Sequence, residues 1–252
     1  MNGRTLHSIL KHAGAVESYP YPHIVIKNAL DFYDELSATR PSLATISNGC
    51  EYGENERIDF AAVTALKADL PPVWREFLEY HSSPLFWRDI VNVFGEYITT
   101  MYPSISPYGP PSDPERQKKV TMRCAIGANT PTTTAGSVRG PHIDSTNELV
   151  AGLFYMPLPE DDAGGDLEVH ELLAFPQFRP PSELLPNLSR RVKTVPYAPN
   201  TFFMFVNGPY SIHAVTPRQP TKLERRLVSF AVDCDRPIFD IYGPPELINA
   251  PR

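Results

Sequence analysis

The sequence predicts a mainly β protein with flanking helices (α+β), in which a sandwich or barrel of short strands follows an N-terminal helical layer. Three observations predict this fold class. From Lys119 onward, short runs rich in β-branched and aromatic residues are separated by turn residues such as Gly164-Gly165. Before that point, apolar residues recur at helical spacing. The 28 prolines among 252 residues indicate many loops and turns.

Three helices are predicted in the first half of the chain. Leu30, Phe32, Tyr33 and Leu36 line one side of a helix near residues 29–38. A second helix begins at Pro71-Pro72, because proline is tolerated in the first helical turn. A third begins after Ser83-Pro84. Its apolar stripe, which we interpret as core packing, consists of Phe86, Ile90, Val93, Phe94, Tyr97 and Met101.

The second half is predicted to contain short strands joined by turns. They lie near residues 119–127, 149–157, 166–170, 191–195, 201–206, 211–215 and 226–233. The proline-rich stretches 103–118 and 171–190 are predicted to be long loops. We expect a single domain over 1–252. Its parts are helical support and loops (1–118), a β core (119–234) and a C-terminal tail (235–252).

Composition argues against several classes of protein. The formal net charge of −6 lacks the basic footprint of a nucleic-acid-binding protein. No stretch approaches the roughly 18 apolar residues of a membrane helix. The N-terminus lacks the apolar run of a signal peptide, and Cys50, Cys124 and Cys234 show no paired spacing. We therefore expect a cytoplasmic protein without nucleic-acid or membrane partners.

Two of the seven histidines lie in patterns typical of metal ligands. His142 and Asp144 are two residues apart, so in an extended segment they point to the same face and can bind one ion. His213 follows an apolar strand 69 residues after Asp144 and is the candidate third ligand. Two imidazoles and one carboxylate form the facial triad of non-haem Fe(II) oxygenases. Taken alone, His142 and Asp144 are equally compatible with a capped turn. His170 and Glu168 are better explained as a solvated strand edge.

Paired arginines open the last predicted strand. A guanidinium at the mouth of an apolar barrel can bind a carboxylate through two parallel hydrogen bonds. Arg226 is the favoured candidate, with Ser229 assisting, and Arg225 is the second choice. Arg123 and Arg139 precede the segment that carries His142 and Asp144, and we interpret both as ordinary surface arginines.

These segments together resemble a known family. The stretch RGPHIDSTNELVAGLFYMPLPEDDAGGDLEVH, followed by NTFFMFVNGPYSIHAVTP and RRLVSFAVD, is similar to the 2-oxoglutarate and Fe(II)-dependent oxygenase superfamily, in its prolyl-4-hydroxylase-like branch. The resemblance covers residues 119–234. It implies a double-stranded β-helix, or jelly-roll. The family's metal motif maps onto His142, Asp144 and His213, and its basic residue for the far carboxylate of 2-oxoglutarate maps onto Arg226. Arg226 follows His213 by 13 positions, a longer interval than is usual in the family.

The resemblance implies an enzyme, a dioxygenase that uses Fe(II), 2-oxoglutarate as co-substrate and O2. Tyr155 is a further candidate contact for 2-oxoglutarate, although core packing explains it equally well. The expected reaction is hydroxylation of an unactivated C–H bond of a small molecule such as an amino acid, a sugar or a natural-product intermediate. Three alternatives stay open: a cupin-type dioxygenase that does not use 2-oxoglutarate, a protein-directed prolyl hydroxylase, and a catalytically silent binding protein.

Overall fold

The computed structural model describes residues 8–105 and 120–241. Within these ranges the helices are α1 (Tyr33–Ala38), α2 (Leu43–Ile46), α3 (Ala62–Ala65), α4 (Pro72–His81) and α5 (Pro84–Met101). The strands are β1 (His23–Lys27), β2 (Arg57–Ala61), β3 (Val120–Asn129), β4 (Glu148–Tyr155), β5 (Leu167–Leu172), β6 (Phe178–Arg179), β7 (Glu183–Leu184), β8 (Ser189–Val195), β9 (Thr201–Val206), β10 (His213–Val215) and β11 (Arg225–Cys234).

The strands form a large sheet, a small sheet and a hairpin. The large sheet has the order β1-β9-β4-β11-β3-β2, and the small sheet has the order β10-β5-β8. All neighbouring strands are antiparallel, and β6 pairs with β7. The mainly β fold class predicted from the sequence is therefore confirmed in its coarse form.

Each face of the large sheet packs against a different layer. Successive side chains of a strand point to opposite faces, so a single strand can contribute to both contacts. One face, which we call the outer face, packs on the helices. Its core includes Phe154, Phe202 and Phe230 with Trp74, Phe77 and Phe94. The opposite, inner face packs on the small sheet. Tyr155, Phe203, Phe205 and Leu227 are buried there with Val169 and Val195. The layer order is thus helices, large sheet, small sheet.

The predictions for the second and third helices are confirmed. Pro72 stands in the first turn of α4, and Ser83 caps α5 by accepting a hydrogen bond from the backbone N–H of Leu85. The predicted apolar stripe of α5 packs into the core. In the β half, the observed β9 has the predicted bounds, and the other predicted strands shift by a few residues at one or both ends.

The predicted helix near 29–38 is wrong in its first part, since the helix begins only at Tyr33. The backbone of Leu30 pairs instead with the side chain of Asn200. Asn200 Oδ1 accepts from the Leu30 N–H, and Asn200 Nδ2 donates to the Leu30 carbonyl, both at 2.9 Å. A helical Leu30 would lose this pairing with the end of β9.

The first half also contains two strands that the sequence reading missed. β1 forms one edge of the large sheet and β2 the other. The predicted loop 171–190 likewise contains β6, β7 and the start of β8. Most of the predicted loop 103–118 and the end of the predicted tail 235–252 lie outside the described residues. Among those that are described, no helix is both long and apolar enough to cross a membrane.

The buried histidine of α4 makes stability depend on pH. His81 Nε2 accepts the Ile9 N–H at 3.1 Å, so Nδ1 carries the proton that it donates to the Phe77 carbonyl. Burial lowers the pKa of His81 from 6.5 to about 3. Between these values the unfolded chain binds a proton that the folded chain does not, so stability falls as pH falls.

We expect the free energy of unfolding to decrease by up to about 1.4 kcal/mol for each pH unit below about 6 through this group alone. Urea unfolding at several pH values between 7 and 4 measures the slope, and His81→Gln is the comparison variant. Other titratable groups contribute equally to the pH dependence of both proteins. Identical slopes of unfolding free energy against pH would therefore show that His81 does not cause the dependence.

Candidate metal centre

Three predicted ligands, His142, Asp144 and His213, lie together and are called the triad below. Their ligand atoms all lie within 4.8 Å of one another. Asp144 Oδ1 is 3.6 Å from His142 Nε2, and Asp144 Oδ2 is 3.5 Å from His213 Nε2. Ligands about 2.1 Å from one ion at right angles are about 3 Å apart, so a small inward movement would let all three bind a single metal ion.

Backbone pairing brings the two histidines together. The segment before Asp144 and the start of β10 form an antiparallel bridge. In it, the His142 N–H donates to the His213 carbonyl at 2.9 Å, and the His213 N–H donates to the His142 carbonyl at 3.0 Å. Their ring centroids are 4.1 Å apart. The triad therefore depends on strand pairing between segments that are far apart in sequence.

Hydrogen bonds orient both imidazole rings for metal binding. His142 Nδ1 lies 2.7 Å from the Gly140 carbonyl, and His213 Nδ1 lies 3.0 Å from the Ser211 carbonyl. A carbonyl oxygen only accepts, so each Nδ1 carries the proton and each Nε2 keeps its lone pair toward Asp144. Metal-binding histidines usually donate their other ring N–H to a protein acceptor in this way, which fixes the ring.

The protonation states of His142 and Asp144 also favour binding of a metal cation. Burial, reinforced by the neighbouring His213, lowers the pKa of His142 to about 4, so this imidazole is neutral at pH 7. Burial alone would raise the pKa of Asp144, but positive charge and hydrogen bonding on the His213 and His142 rings hold it well below its usual range. A cation bound between neutral rings would favour the carboxylate in the same way. A neutral imidazole and a carboxylate are the forms that bind a metal ion.

Neighbouring side chains hold the loop that carries Asp144. Arg139 Nη1 lies 3.4 Å from Asp144 Oδ1, and Arg139 Nη2 donates to Ser182 Oγ at 2.6 Å. Asn207 Nδ2 donates to the carbonyls of Ser145 and Glu148, both at 2.9 Å. The sequence interpretation of Arg139 as an ordinary surface residue was therefore incomplete.

The inner face of β11 carries a second group of polar residues. Arg225 is buried and lies beside two tyrosine rings that contact each other, with its guanidinium carbon 5.0 Å from the Tyr155 ring centre and 5.1 Å from that of Tyr197. Its Nε donates to the Gly165 carbonyl at 2.9 Å, and its Nη1 donates to Asn129 Oδ1 at 3.2 Å. A Cβ on Gly165, which has φ +96°, would lie 2.9 Å from Arg225 Cδ, so glycine makes room for this side chain.

Two polar atoms in this group lack a hydrogen bond of good geometry within the described chain. They are Arg225 Nη2 and the Tyr155 hydroxyl. Burial raises the pKa of Tyr155, and the nearby guanidinium of Arg225 opposes that rise. Buried polar atoms are nearly always paired, so these two atoms are candidates for contact with a polar ligand.

Arg226 lies on the opposite, outer face of β11. It shares that face with Val228 and Phe230, which pack toward the helices, and its Nε donates to Glu224 Oε1 at 2.9 Å. Ser229 is on the inner face with Arg225, and its hydroxyl donates to Asp59 at 3.3 Å. The structure therefore brings Tyr155 close to Arg225, but it does not bring Arg226 to that group.

Some charged residues near the triad were not singled out in the sequence. Glu148 begins β4, and Asp240 lies near the end of the described chain. Both line a cavity that Asp144 also lines. Burial, together with the negative charges of Asp144 and Asp233, raises the pKa of Glu148 to about 7. His170 bonds to Ser189 and Glu168 and lies outside the triad, as expected from the sequence. The predicted solvated strand edge is wrong, because His170 is buried and β5 is the central strand of the small sheet.

Solved structures similar to this chain come from the family that its sequence resembles. One is a prolyl 4-hydroxylase from Phytophthora capsici, with 15% identity over 89% of this chain and a TM-score of 0.48. This chain spans 61% of that protein. A second is a prolyl-4-hydroxylase from Pseudomonas putida, with 13% identity over 84% of this chain and 91% of that one, and a TM-score of 0.44.

A third is the Fe(II)/α-ketoglutarate-dependent dioxygenase TqaL, with 13% identity over 84% of this chain and 82% of that one, and a TM-score of 0.40. No family model matches the sequence, and no curated protein does. The function proposed below therefore rests on the geometry of the site and not on these distant similarities.

Proposed function

We propose that this protein is an Fe(II)- and 2-oxoglutarate-dependent dioxygenase that hydroxylates an unactivated C–H bond of a small molecule. The observation that carries the proposal is the triad, two imidazole nitrogens and one carboxylate around one point. This ligand set is characteristic of non-haem Fe(II) oxygenases, which need free positions on the metal for co-substrate and O2. The proposal includes a single oxygenase domain over residues 1–252 with a jelly-roll core.

We assign the far carboxylate of 2-oxoglutarate to Arg225 and Tyr155. Arg225 takes this role in place of Arg226, because only Arg225 lies on the inner face. Its Nη2 and the Tyr155 hydroxyl are two donors without a bonded acceptor in the described chain, and a carboxylate offers two acceptor oxygens. Contacts with two aromatic rings, and hydrogen bonds to Gly165 and Asn129, fix the orientation of the Arg225 guanidinium before the ligand arrives.

When bound, the iron and 2-oxoglutarate supply the oxidising chemistry: substrate, 2-oxoglutarate and O2 give hydroxylated substrate, succinate and CO2. The residues of the chain orient the metal ligands and exclude water from the site. The two histidines are fixed through Nδ1, and Arg139 orients the Asp144 carboxylate. Phe205, whose ring centre is 4.9 Å from that of His213, supplies an apolar wall beside the metal ligands.

Turnover in labelled oxygen gas tests the proposal. The protein is reconstituted with Fe(II) without air, 2-oxoglutarate is added, and ¹⁸O₂ is admitted with a metabolite mixture. We expect succinate that carries one labelled atom, and a product that gains the mass of the other. Omission of iron should abolish both signals. Turnover of a metabolite without succinate would instead support the cupin-type alternative, and labelled succinate formed only with proline-containing peptides would support a protein-directed hydroxylase.

A further inference from the structure

A cavity of about 500 Å³ lies directly beside the triad, because Asp144 forms part of its wall. This volume lies within the range of small-molecule sites. The wall also includes the apolar residues Phe239 and Ile241. If the proposed function holds, a substrate must lie here, since its reacting carbon has to approach the metal. The chemistry of the wall then indicates what kind of molecule fits.

The charged groups of the wall are mostly acidic. Asp144, Glu148 and Asp240 line the cavity, with Arg139 as the cation among the lining residues. Arg139 is already paired with Asp144, and that carboxylate also faces the metal position. Glu148 and Asp240 are the other two charged residues of the wall, and both are acidic. The wall therefore favours a cationic group over an anionic one.

Glu148 belongs to an ion cluster with surplus negative charge. It stands directly opposite Asp233 in the β4–β11 pairing, and like charges in opposite positions destabilise a sheet. Arg123 bridges the two, at 2.7 Å from Glu148 Oε1 and 2.9 Å from Asp233 Oδ2. One guanidinium thus serves two carboxylates. The side chain of Glu148 is only 16% exposed, so bulk water does little to screen this surplus charge.

We propose that the substrate is a small amine, whose protonated amino group pairs with Glu148 while its carbon skeleton packs on Phe239 and Ile241. This inference rests on the proposed function. An ammonium group would supply the second cation that Glu148 and Asp233 lack, and it would donate a charge-assisted hydrogen bond in a partly dry cavity. Phe239 and Ile241, which also line the cavity, would contact the rest of the molecule.

Binding of three probes of similar shape tests the proposal. The protein is first titrated with Fe(II) and 2-oxoglutarate without air, and formation of the ternary complex is followed by visible absorbance. Failure at this step contradicts the proposed function. The complex is then titrated calorimetrically with isopentylamine, isopentyl alcohol and 4-methylpentanoate. We expect the amine to bind about tenfold more tightly than the alcohol. Equal or tighter binding of the alcohol or of the carboxylate would overturn the amine assignment and leave the dioxygenase assignment intact.

A pair of variants then locates the effect. Glu148→Gln keeps the shape of the side chain but removes its charge, so the preference for amine over alcohol should fall at least severalfold. Asp233→Asn removes the other carboxylate that Arg123 serves, at a residue outside the cavity wall, so the preference should fall less than in Glu148→Gln. No loss in Glu148→Gln, or a loss in Asp233→Asn as large as that in Glu148→Gln, would show that Glu148 does not recognise the amine directly. Should Glu148→Gln not fold, the three probes on the unaltered protein still decide the proposal.

Discussion

Asp144→Ala should abolish high-affinity iron binding and, with it, 2-oxoglutarate-dependent succinate release. Asp144 is the charged residue of the triad and its proposed anionic ligand, and its two oxygens face His142 and His213 separately. Loss of residues that merely orient a ligand costs about ten- to a hundredfold in metal affinity, so loss of the ligand itself should exceed a hundredfold. His142→Ala and His213→Ala should behave in the same way, because each removes one of three donors.

Anaerobic titration with Fe(II), followed with a colorimetric chelator for free iron, measures this effect, and circular dichroism reports on the fold. The chain offers a matched control in His170, which lies 3.2 Å from Glu168 and is nearly as buried as the triad histidines. His170→Ala should leave iron affinity within about twofold, because this ring lies outside the triad. Iron binding that survives in any triad variant would remove that residue from the site.

The triad could be predicted from the sequence because its key relation is local. Two side chains at positions i and i+2 share a face in extended backbone whatever the rest of the fold does. His213 was found through its position after the apolar strand that became β9. The backbone bridge between His142 and His213 has no local signature, because the two segments pair only in the folded chain.

The choice between Arg225 and Arg226 could not be made in the same way. Adjacent residues of a strand point to opposite faces, so an error of one position exchanges the inner and outer faces. Alternating polar and apolar residues usually reveal which face is buried, but β11 is covered on both faces by helices and small sheet. Leu227 and Val228 are consequently both apolar, so the pattern does not show which residues of β11 point to the inner face.

The missed strands illustrate two different limits. β2 did carry a signal, since the charged Arg57 and Asp59 alternate with the apolar Ile58 and Phe60. That period of two was overlooked among helical segments. β1 is a five-residue run, His23–Lys27, too short for periodicity to separate a strand from a helical turn. Only its pairing with β9 in the folded chain makes this segment a strand.

Arg225→Ala should weaken 2-oxoglutarate binding by about ten- to a hundredfold, since a hydrogen bond to a charged group contributes about 1.5–3 kcal/mol. Arg225 lies on the inner face, and its Nη2 has no hydrogen-bond partner among the described residues. Its removal would leave the far carboxylate with the Tyr155 hydroxyl alone. Tyr155→Phe should have a smaller effect in the same direction, because it removes one neutral donor and keeps the ring. Iron affinity without 2-oxoglutarate should change little in either variant.

The neighbouring arginine supplies the decisive comparison, because the two residues are adjacent and differ in the face that they occupy. Arg226→Ala breaks the ion pair with the largely buried Glu224, which keeps its pairing with Arg40. The substitution should therefore lower stability and leave 2-oxoglutarate affinity within about twofold. Titration of each iron-loaded variant with 2-oxoglutarate, followed by visible absorbance without air, gives both affinities. Thermal unfolding of each variant separates loss of binding from loss of fold, which matters because Arg225 is fully buried. A large loss of affinity in Arg226→Ala with a small one in Arg225→Ala would reverse the assignment. That result would mean that β11 rotates or shifts by one residue when the co-substrate binds.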